Sequence, residues 1–244
     1  MKKLFSTIVM LMLLCISANA QKTFVFVVGV SNYHIPGRET VNLGFTSKDC
    51  REILDIFKQQ PSTYASALTS KYATPQKIDE KFNTIFSVAK PEDKIIFHFS
   101  GHGYKEQGGG LVTVEGQPYS FDHLVSMLTK AKAGNVVCLI DACFSGLIKN
   151  AIDNYKDQLK TNLTIISGSR GTEESAESPL FGNGLLTKAL KKGLRGMADA
   201  DGDKVVTLME LFKFVHADVV MHNENQHPQY IGPSSAHNLV ITRW

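Results

Sequence analysis

Four runs of consecutive apolar residues divide the chain, at residues 23–30, 94–99, 135–140 and 163–166. Val, Ile and Phe dominate these runs, and few polar residues interrupt them. Continuous apolar runs of this length are typical of strands that are covered on both faces. The sequence therefore predicts four buried strands of one sheet.

The segments between these runs carry apolar residues on one helical face. Residues 47–59 have such a stripe, and Thr74 with Pro75 predicts an N-cap and first turn for a helix through residue 89. Ser120 is the predicted N-cap of the next helix. Buried strands that alternate with amphipathic helices indicate an α/β fold of three layers, with a mostly parallel central sheet flanked by helices.

The remaining elements are shorter. A small hairpin is predicted at residues 111–117, a helix at residues 182–194 and a short strand at residues 239–242. Thr207 and Glu210 have the spacing of a capping box and predict the start of a further helix.

The N-terminal segment has the pattern of an export signal. Residues 1–20 place Lys2 and Lys3 before a short apolar run and end in Ala-Asn-Ala, a small-x-small pattern. The run is too short for a comfortable membrane span, so we predict a signal peptide cleaved before Gln21; an uncleaved anchor is the alternative. Residues 21–244 contain no repeat and no Pro/Ser-rich linker, and they are predicted to form one domain, periplasmic or secreted.

The charge balance excludes one class of function. The 26 Lys and Arg residues against 23 Asp and Glu give a formal net charge of +3, which falls to +1 when Lys2 and Lys3 are removed with residues 1–20. A general nucleic-acid binder carries a much stronger basic charge. No later segment is apolar enough to span a membrane, so neither nucleic acid nor a membrane is an expected partner of the mature chain.

Three cysteines remain after removal of the signal: Cys50, Cys138 and Cys143. An odd number in an exported protein means that at least one thiol is unpaired within the chain. A disulfide framework therefore does not explain these cysteines, although a Cys50–Cys138 bridge stays open at this point.

Reactive side chains follow two of the predicted strands. The run 94–99 leads into Ser-Gly-His-Gly with His102, and the run 135–140 leads into Asp-Ala-Cys-Phe-Ser-Gly with Cys143. The carboxyl ends of neighbouring parallel strands lie about 4.8 Å apart at one edge of a sheet. His102 can therefore raise the thiolate fraction of Cys143, the nucleophile, and later protonate the leaving amine. Gly103 lets the backbone approach the reacting carbonyl, and its amide and that of Cys143 are the predicted oxyanion hole.

These two motifs, separated by 41 residues from His102 to Cys143, resemble the caspase/metacaspase family of cysteine peptidases. Residues 28–33 and 43–49 resemble the family's first strand and the start of its first helix, and Leu68-Thr69 with Ala73-Thr74 resembles its second strand and helix. The resemblance implies a caspase-like fold and an endopeptidase that cleaves protein or peptide substrates through a thioacyl intermediate, with no cofactor needed for the chemistry. A catalytically inactive or latent caspase-fold binding module is the alternative.

The resemblance also implies a specificity. Metacaspases have Asp two residues before the nucleophile, in a pocket for Arg or Lys, and Asp141 occupies that position while Asp49 matches a second acidic residue near the pocket. Substrate cleavage after Arg or Lys is therefore expected. Phe144 departs from the commonest metacaspase pattern, which has His there. The alternative is that Asp141 caps the helix that follows its strand.

An acidic loop near the C-terminus resembles a calcium-binding loop. Asp199, Asp201 and Asp203 fall at its first, third and fifth positions, and Glu210 falls at the twelfth, where Glu can bind calcium through both oxygens. Lys204 occupies the sixth position, which normally requires Gly. Calcium as an activator or structural ion is one expectation, and a solvated loop held by its capping box is the other.

Overall fold

The structure is a computed structural model that describes residues 21–34, 42–173, 177–178 and 183–244. The predicted signal peptide, residues 1–20, lies outside the described residues. The strands, in chain order, are β1 (Thr23–Gly29), β2 (Thr63–Thr69), β3 (Lys94–Ser100), β4 (Gly103–Tyr104), β5 (Gly110–Val112), β6 (Pro118–Ser120), β7 (Asn135–Asp141), β8 (Asn162–Ser167), β9 (Glu177–Ser178), β10 (Asn183–Gly184), β11 (Val205–Thr207), β12 (Gln229–Ile231) and β13 (Val240–Arg243).

The helices are α1 (Thr46–Lys58), α2 (Pro75–Val88), α3 (Phe121–Leu128), α4 (Ile148–Tyr155), α5 (Leu185–Lys192) and α6 (Leu208–His222). Short 3-10 turns lie at Ser70–Tyr72, Glu106–Gly108, Ser145–Leu147 and Ser234–Ala236, and a π turn lies at Gly193–Met197. In the part of the chain that the structure describes, no helix combines the length and the apolar character needed to cross a membrane.

The central sheet confirms the predicted α/β architecture. Within the described residues it has six strands in the order β12-β8-β7-β3-β1-β2. All neighbouring pairs run parallel except β12 and β8, which are antiparallel. The four strands predicted from apolar runs are the inner strands β1, β3, β7 and β8, and this agrees with their need for cover on both faces.

Each apolar run supplies two cores, because successive side chains of a strand point to opposite faces. In β1, Phe26 and Val28 pack with α2, α3 and α4 on one face, whereas Val25 and Val27 pack with α1, α5 and α6 on the other. The sheet is therefore the middle of three layers, and all of its parallel strands end at the edge where the reactive motifs lie.

The predicted helix starts are confirmed by their caps. Thr74 accepts a hydrogen bond from the N–H of Lys77 at 3.3 Å, and Ser120 accepts one from the N–H of His123 at 3.0 Å. At the start of α6, Thr207 and Glu210 bond reciprocally as a capping box. The predicted hairpin is also present, as β5 and β6 in a small antiparallel sheet with β4.

Several elements differ from the expectation. The predicted helix 182–194 is helical from Leu185 to Lys192 and then widens into a π turn, where Gly196 has a φ of 107° against the ring of Trp244. Edge strand β12 was not predicted, and β2 was indicated by resemblance alone. Both are short or partly exposed, so they lack the continuous apolar pattern that marks the inner strands.

The cysteines form no disulfide among the described residues. The Cys50–Cys138 bridge left open by the sequence is excluded, because Cys50 lies in the core on the α1 face of the sheet and Cys138 lies in the core on the opposite face. Both are fully buried, and burial raises the pKa of each thiol. They are packing residues, in contrast to the half-buried Cys143.

Candidate active site

The two reactive motifs begin side by side at the carboxyl edge of the sheet. Ser100, the last residue of β3, pairs with Asp141, the last residue of β7. The next N–H, of Gly101, donates to the carbonyl of Asp141 at 3.2 Å, so the pairing continues into the loops. His102 and Cys143 follow directly, and both are half-buried. The structure thus places the two residues at one edge, as predicted from the order of the strands.

Gly103 lies directly against the peptide of Cys143. A Cβ atom at position 103 would be 2.2 Å from the carbonyl oxygen of Cys143 and 3.2 Å from its nitrogen. Real Cβ atoms do not approach this closely, so the contact requires glycine. It brings together the two residues whose amides are predicted to stabilise an oxyanion.

The turn after Cys143 is held from two sides. Phe144 has a left-handed φ of 57°, an uncommon conformation for an aromatic residue. Its N–H donates to the carbonyl of Glu173 at 2.9 Å, and the ammonium of Lys105 lies 5.6 Å from the centre of its ring. Lys105 belongs to the loop that follows His102, so this cation–π contact joins the two reactive loops.

The last two residues of the Asp-Ala-Cys-Phe-Ser-Gly motif anchor the segment after β8. The buried hydroxyl of Ser145 accepts from the N–H groups of Gly168 at 3.1 Å and Ser169 at 3.4 Å. A Cβ at Gly146 would lie 2.7 Å from the nitrogen of Gly171. These residue types are therefore explained by packing around Cys143 rather than by chemistry.

Asp141 is buried and hydrogen-bonded to the start of α5. Its Oδ2 accepts from the N–H of Thr187 at 2.9 Å and from the Thr187 hydroxyl at 2.7 Å. Thr187 lies in the first turn of α5, where the helix has unsatisfied N–H groups and a positive partial charge. Asp141 therefore does cap a helix, but the helix is α5 and not, as the alternative held, the one that follows β7.

Asp49, in the first turn of α1, is fully buried beside the same segment. Its Oδ2 accepts from the N–H of Gly184 at 3.2 Å, and its Oδ1 lies 3.5 Å from the ammonium of Lys191. That ammonium also forms a close ion pair with Glu52. The ammonium of Lys191 therefore already lies beside Asp49, the residue predicted to bind the cationic side chain of a substrate.

The two carboxylates influence each other across Gly184. A Cβ at position 184 would be 2.3 Å from Oδ2 of Asp141, while the N–H of the same residue bonds to Asp49. Burial, reinforced by the charge of Asp141, raises the pKa of Asp49 to about 7 against the opposing effect of Lys191. Burial also raises the pKa of Asp141, and the hydrogen bonds from Thr187 reduce this effect. The predicted specificity residues are thus neighbours, and donors of the chain itself already contact them.

The acidic loop brings three of its four predicted ligands together. Carboxylate oxygens of Asp199, Asp201 and Asp203 all lie within 4.8 Å of one another. Glu210 accepts from the N–H of Ala200 at 3.1 Å and forms the capping box of α6.

Lys204, at the sixth position of this loop, takes the left-handed φ of 65° that normally calls for glycine. Its N–H donates to Asp199 at 2.9 Å. The loop therefore has the turn that the spacing requires, and calcium binding stays a prediction.

Four residues that contact the site were not predicted from the sequence. Tyr33 contacts His102, Glu173 holds Phe144, and Thr187 and Lys191 contact the acidic pair. All four come from segments far from the two motifs along the chain. Tyr33 ends the segment 28–33 that resembles the family's first strand, but no pattern in the sequence assigns any of the four to the site, because only the folded arrangement makes them neighbours.

Comparison with protein families agrees with this arrangement. The caspase domain family model matches residues 22–239, which is most of the chain. The chain therefore belongs to the caspase domain family of cysteine-type peptidases.

Solved structures show the same fold. A crystal structure of a protein from Geobacter sulfurreducens matches with a TM-score of 0.68 and 18% sequence identity, covering 89% of this chain and 96% of that one. At this identity the match concerns the fold alone. A search among curated proteins gives no match.

Proposed function

We propose that this protein is a cysteine endopeptidase that hydrolyses peptide bonds in protein or peptide substrates, with Cys143 as the nucleophile and His102 as the general base. One observation carries the proposal. The paired ends of β3 and β7 and the close contact of Gly103 with Cys143 bring both residues to one edge of the sheet, half-buried and beside a glycine backbone.

The proposed reaction has two halves. His102 accepts the thiol proton, and the Cys143 sulfur attacks the scissile carbonyl to form a C–S bond. When the peptide C–N bond breaks, His102 gives its proton to the leaving amine, and a thioacyl enzyme remains. A water molecule, deprotonated by His102, then attacks the thioester and releases the acid and the thiol. The amides of Gly103 and Cys143 stabilise the oxyanion in both halves.

Cleavage after Arg or Lys is the proposed specificity. It is supported by two adjacent carboxyl groups, Asp49 and Asp141, near the end of the strand that leads to Cys143. A carboxylate pair attracts a guanidinium or ammonium group, and a bidentate guanidinium contact favours Arg. A substrate cation at this pair competes with Lys191 and Thr187.

The existing contacts of Lys191 and Thr187 with the acidic pair support a second candidate function, a latent or inactive caspase-fold binding module. Asp49 is 0% exposed and Asp141 is 5% exposed. In this state the described residues leave little room for a basic side chain to contact either one. A latent enzyme would rearrange the segment around Gly184 before it binds substrate.

The proposed location is outside the cytoplasm, periplasmic or secreted, after removal of residues 1–20. N-terminal sequencing of the mature protein is expected to begin at Gln21. A protein that retains residues 1–20 would contradict cleavage and favour an anchor.

The function is tested with purified protein under reducing conditions and fluorogenic peptides that end in Arg, Lys or Asp, with and without calcium. Arg and Lys peptides are expected to be hydrolysed, and Cys143→Ala is expected to lose about 10⁴-fold or more in kcat, since a nucleophile acts as one unit with its base. Cys138→Ala, which removes a buried thiol of the core, is the matched control and keeps its kcat.

Three results would change the conclusion. Cleavage after Asp would keep the dyad and overturn the role of the acidic pair. An unchanged rate in Cys143→Ala would overturn the nucleophile. Absence of any cleavage, in folded protein with a reactive Cys143 thiol, would favour the latent or binding module.

A further inference from the structure

Tyr33 is a buried aromatic residue next to His102, and it has no role in the reaction proposed above. It lies in the loop after β1 and is 5% exposed. Its N–H donates to the side-chain oxygen of Asn42 at 3.0 Å, and the next N–H, of His34, donates to the carbonyl of Val114 at 2.7 Å. These bonds fix the backbone on both sides of Cα, so the ring has a defined place at the edge of the sheet.

Tyr33 contacts His102 in two ways. The N–H of His102 donates to the Tyr33 hydroxyl oxygen at 2.6 Å. The two rings also pack together, with centroids 4.7 Å apart and planes inclined by 38°. The hydrogen bond restrains the backbone of His102 and the ring contact restrains its imidazole. A single side chain therefore restrains both parts of the residue.

The contact also explains the first glycine of the Ser-Gly-His-Gly motif. A Cβ at Gly101 would lie 2.7 Å from the Tyr33 hydroxyl oxygen and 2.9 Å from the ring of Phe99. Any larger residue at position 101 would push the tyrosine away from His102. The second glycine, Gly103, serves the contact with Cys143, so each glycine of the motif leaves room for a different neighbour.

We propose that Tyr33 is a positioning residue for His102: its hydroxyl holds the backbone N–H and its ring holds the imidazole in the orientation that serves Cys143. This inference rests on the proposed function of His102 as general base. A general base must lie within hydrogen-bonding reach of the proton that it accepts, and a displacement of about 1 Å can cost about 100-fold in rate. Tyr33 itself donates or accepts no proton in the reaction.

Two substitutions separate the two contacts. Tyr33→Phe keeps the ring and removes the hydroxyl, whereas Tyr33→Leu removes both. We expect kcat to fall about 10-fold in Tyr33→Phe and about 100-fold in Tyr33→Leu, with KM changed less than about 2-fold, since positioning acts on the chemical step. Tyr72→Phe and Tyr72→Leu, at a tyrosine that is 56% exposed, are matched controls and keep both constants.

A spectroscopic measurement tests the contact independently of activity. The ring current of Tyr33 shifts the NMR signals of the His102 imidazole, and these signals are assigned by their loss in His102→Gln. The His102 signals are expected to move in Tyr33→Leu, which lacks the ring, and to keep their positions in Tyr33→Phe, which retains it. Unmoved His102 signals in a folded Tyr33→Leu protein would overturn the contact.

Alkylation of Cys143 by iodoacetamide tests the role of Tyr33 without requiring peptide cleavage. Its rate therefore distinguishes failure of this inference from failure of the proposed function. A wild-type protein that cleaves no peptide would count against the peptidase. Its alkylation would still report activation of the thiol by His102, and about a 10-fold slower rate in Tyr33→Leu than in the wild type and Tyr72→Leu would support positioning. Equal alkylation rates, or a Tyr33→Leu enzyme with unchanged kcat, would overturn it.

Discussion

The dyad and the acidic pair lie at the same edge of the sheet, but they are built differently. His102 and Cys143 are half-buried, and main-chain contacts do most to place them, namely strand pairing, close glycine contacts and loop hydrogen bonds; the Tyr33 side chain adds its contacts with His102. Asp49 and Asp141 are buried, and the donors that contact them come from the segment around Gly184 and from α5.

The candidate dyad is partly exposed to solvent, whereas the acidic pair is enclosed and hydrogen-bonded to other segments of the chain. A nucleophile must reach its substrate, so partial exposure fits its proposed role. A buried carboxylate is costly unless donors satisfy it, and these donors must be released before a substrate cation can replace them. Substitutions can therefore show whether the acidic pair selects substrates, holds α5 in place, or does both.

Apart from loss of the Cys143 thiol itself, the largest effect is expected at Gly103, which lies against the peptide of Cys143. In Gly103→Ala, the new Cβ would meet the carbonyl oxygen of Cys143 at 2.2 Å, so the loops must separate. We expect kcat to fall by about 100-fold or more, because the proposed oxyanion donors and the candidate dyad both shift. Gly44→Ala, where a Cβ meets no atom within 4 Å, is the control and retains activity. Full activity in Gly103→Ala would refute the proposed arrangement.

A smaller loss of activity is expected when Asp141 loses its charge. Asp141→Asn keeps a side chain that can accept from Thr187 and removes the charge, and it is expected to lower kcat/KM for Arg peptides by about 10- to 100-fold, the range of a charged hydrogen bond. Thr187→Val keeps the carboxylate and is expected to cost about 1 kcal/mol of unfolding free energy with little change in preference. An unchanged Arg preference in Asp141→Asn would make Asp141 a capping residue alone.

A smaller effect is expected in the pH dependence of stability. The pKa of Asp49 is about 7 in the folded protein, against an ordinary value of 3.8, so the folded state holds this proton more tightly between those pH values. The stability that the raised pKa contributes is therefore present below about pH 4 and is lost as the pH rises through about 7, at up to about 1.4 kcal/mol per pH unit.

In Asp49→Asn, the unfolding free energy measured by urea denaturation is expected to fall less steeply from pH 4 to pH 7 than in the wild type. Asp55→Asn changes an exposed position of the same helix and serves as the control, with the wild-type slope. Identical slopes in Asp49→Asn and the wild type would contradict the raised pKa.

The smallest effect concerns the exposed acidic loop, which contrasts with the buried pair. Slight desolvation of Asp199 is outweighed by hydrogen bonds from the N–H groups of Gly202 and Lys204, and the pKa of Asp199 is lowered. The indole N–H of Trp244, the single tryptophan of the chain, donates to Asp199 at 3.2 Å. Calcium binding is therefore expected to change Trp244 fluorescence saturably.

Asp201→Asn is expected to weaken that calcium response, because it removes one charged ligand. Magnesium at the same concentration is the control and is expected to give a weaker response, since it demands a stricter octahedral geometry. Fluorescence that is unchanged by calcium would favour the solvated loop held by its capping box.

Much of the fold could be predicted from local patterns. The inner strands follow from apolar runs, and three helix starts follow from Thr74, Ser120 and the Thr207 capping box. Edge strands β2 and β12 have weaker patterns, because their side chains are only partly buried and need not be apolar throughout. The candidate dyad could also be predicted, since both motifs directly follow inner strands and parallel strands end together.

The local preferences of this chain, namely buried strands, capped helices and two reactive motifs at strand ends, follow from short stretches of its sequence. The contacts at the site follow only from the packing of the folded chain: Asp141 caps α5, Lys191 contacts Asp49, and Tyr33 packs on His102. The physical reason is that local patterns depend on neighbours within a few positions. Burial and hydrogen bonding at the site depend instead on residues up to 142 positions apart, which only the packing of strands and helices brings together.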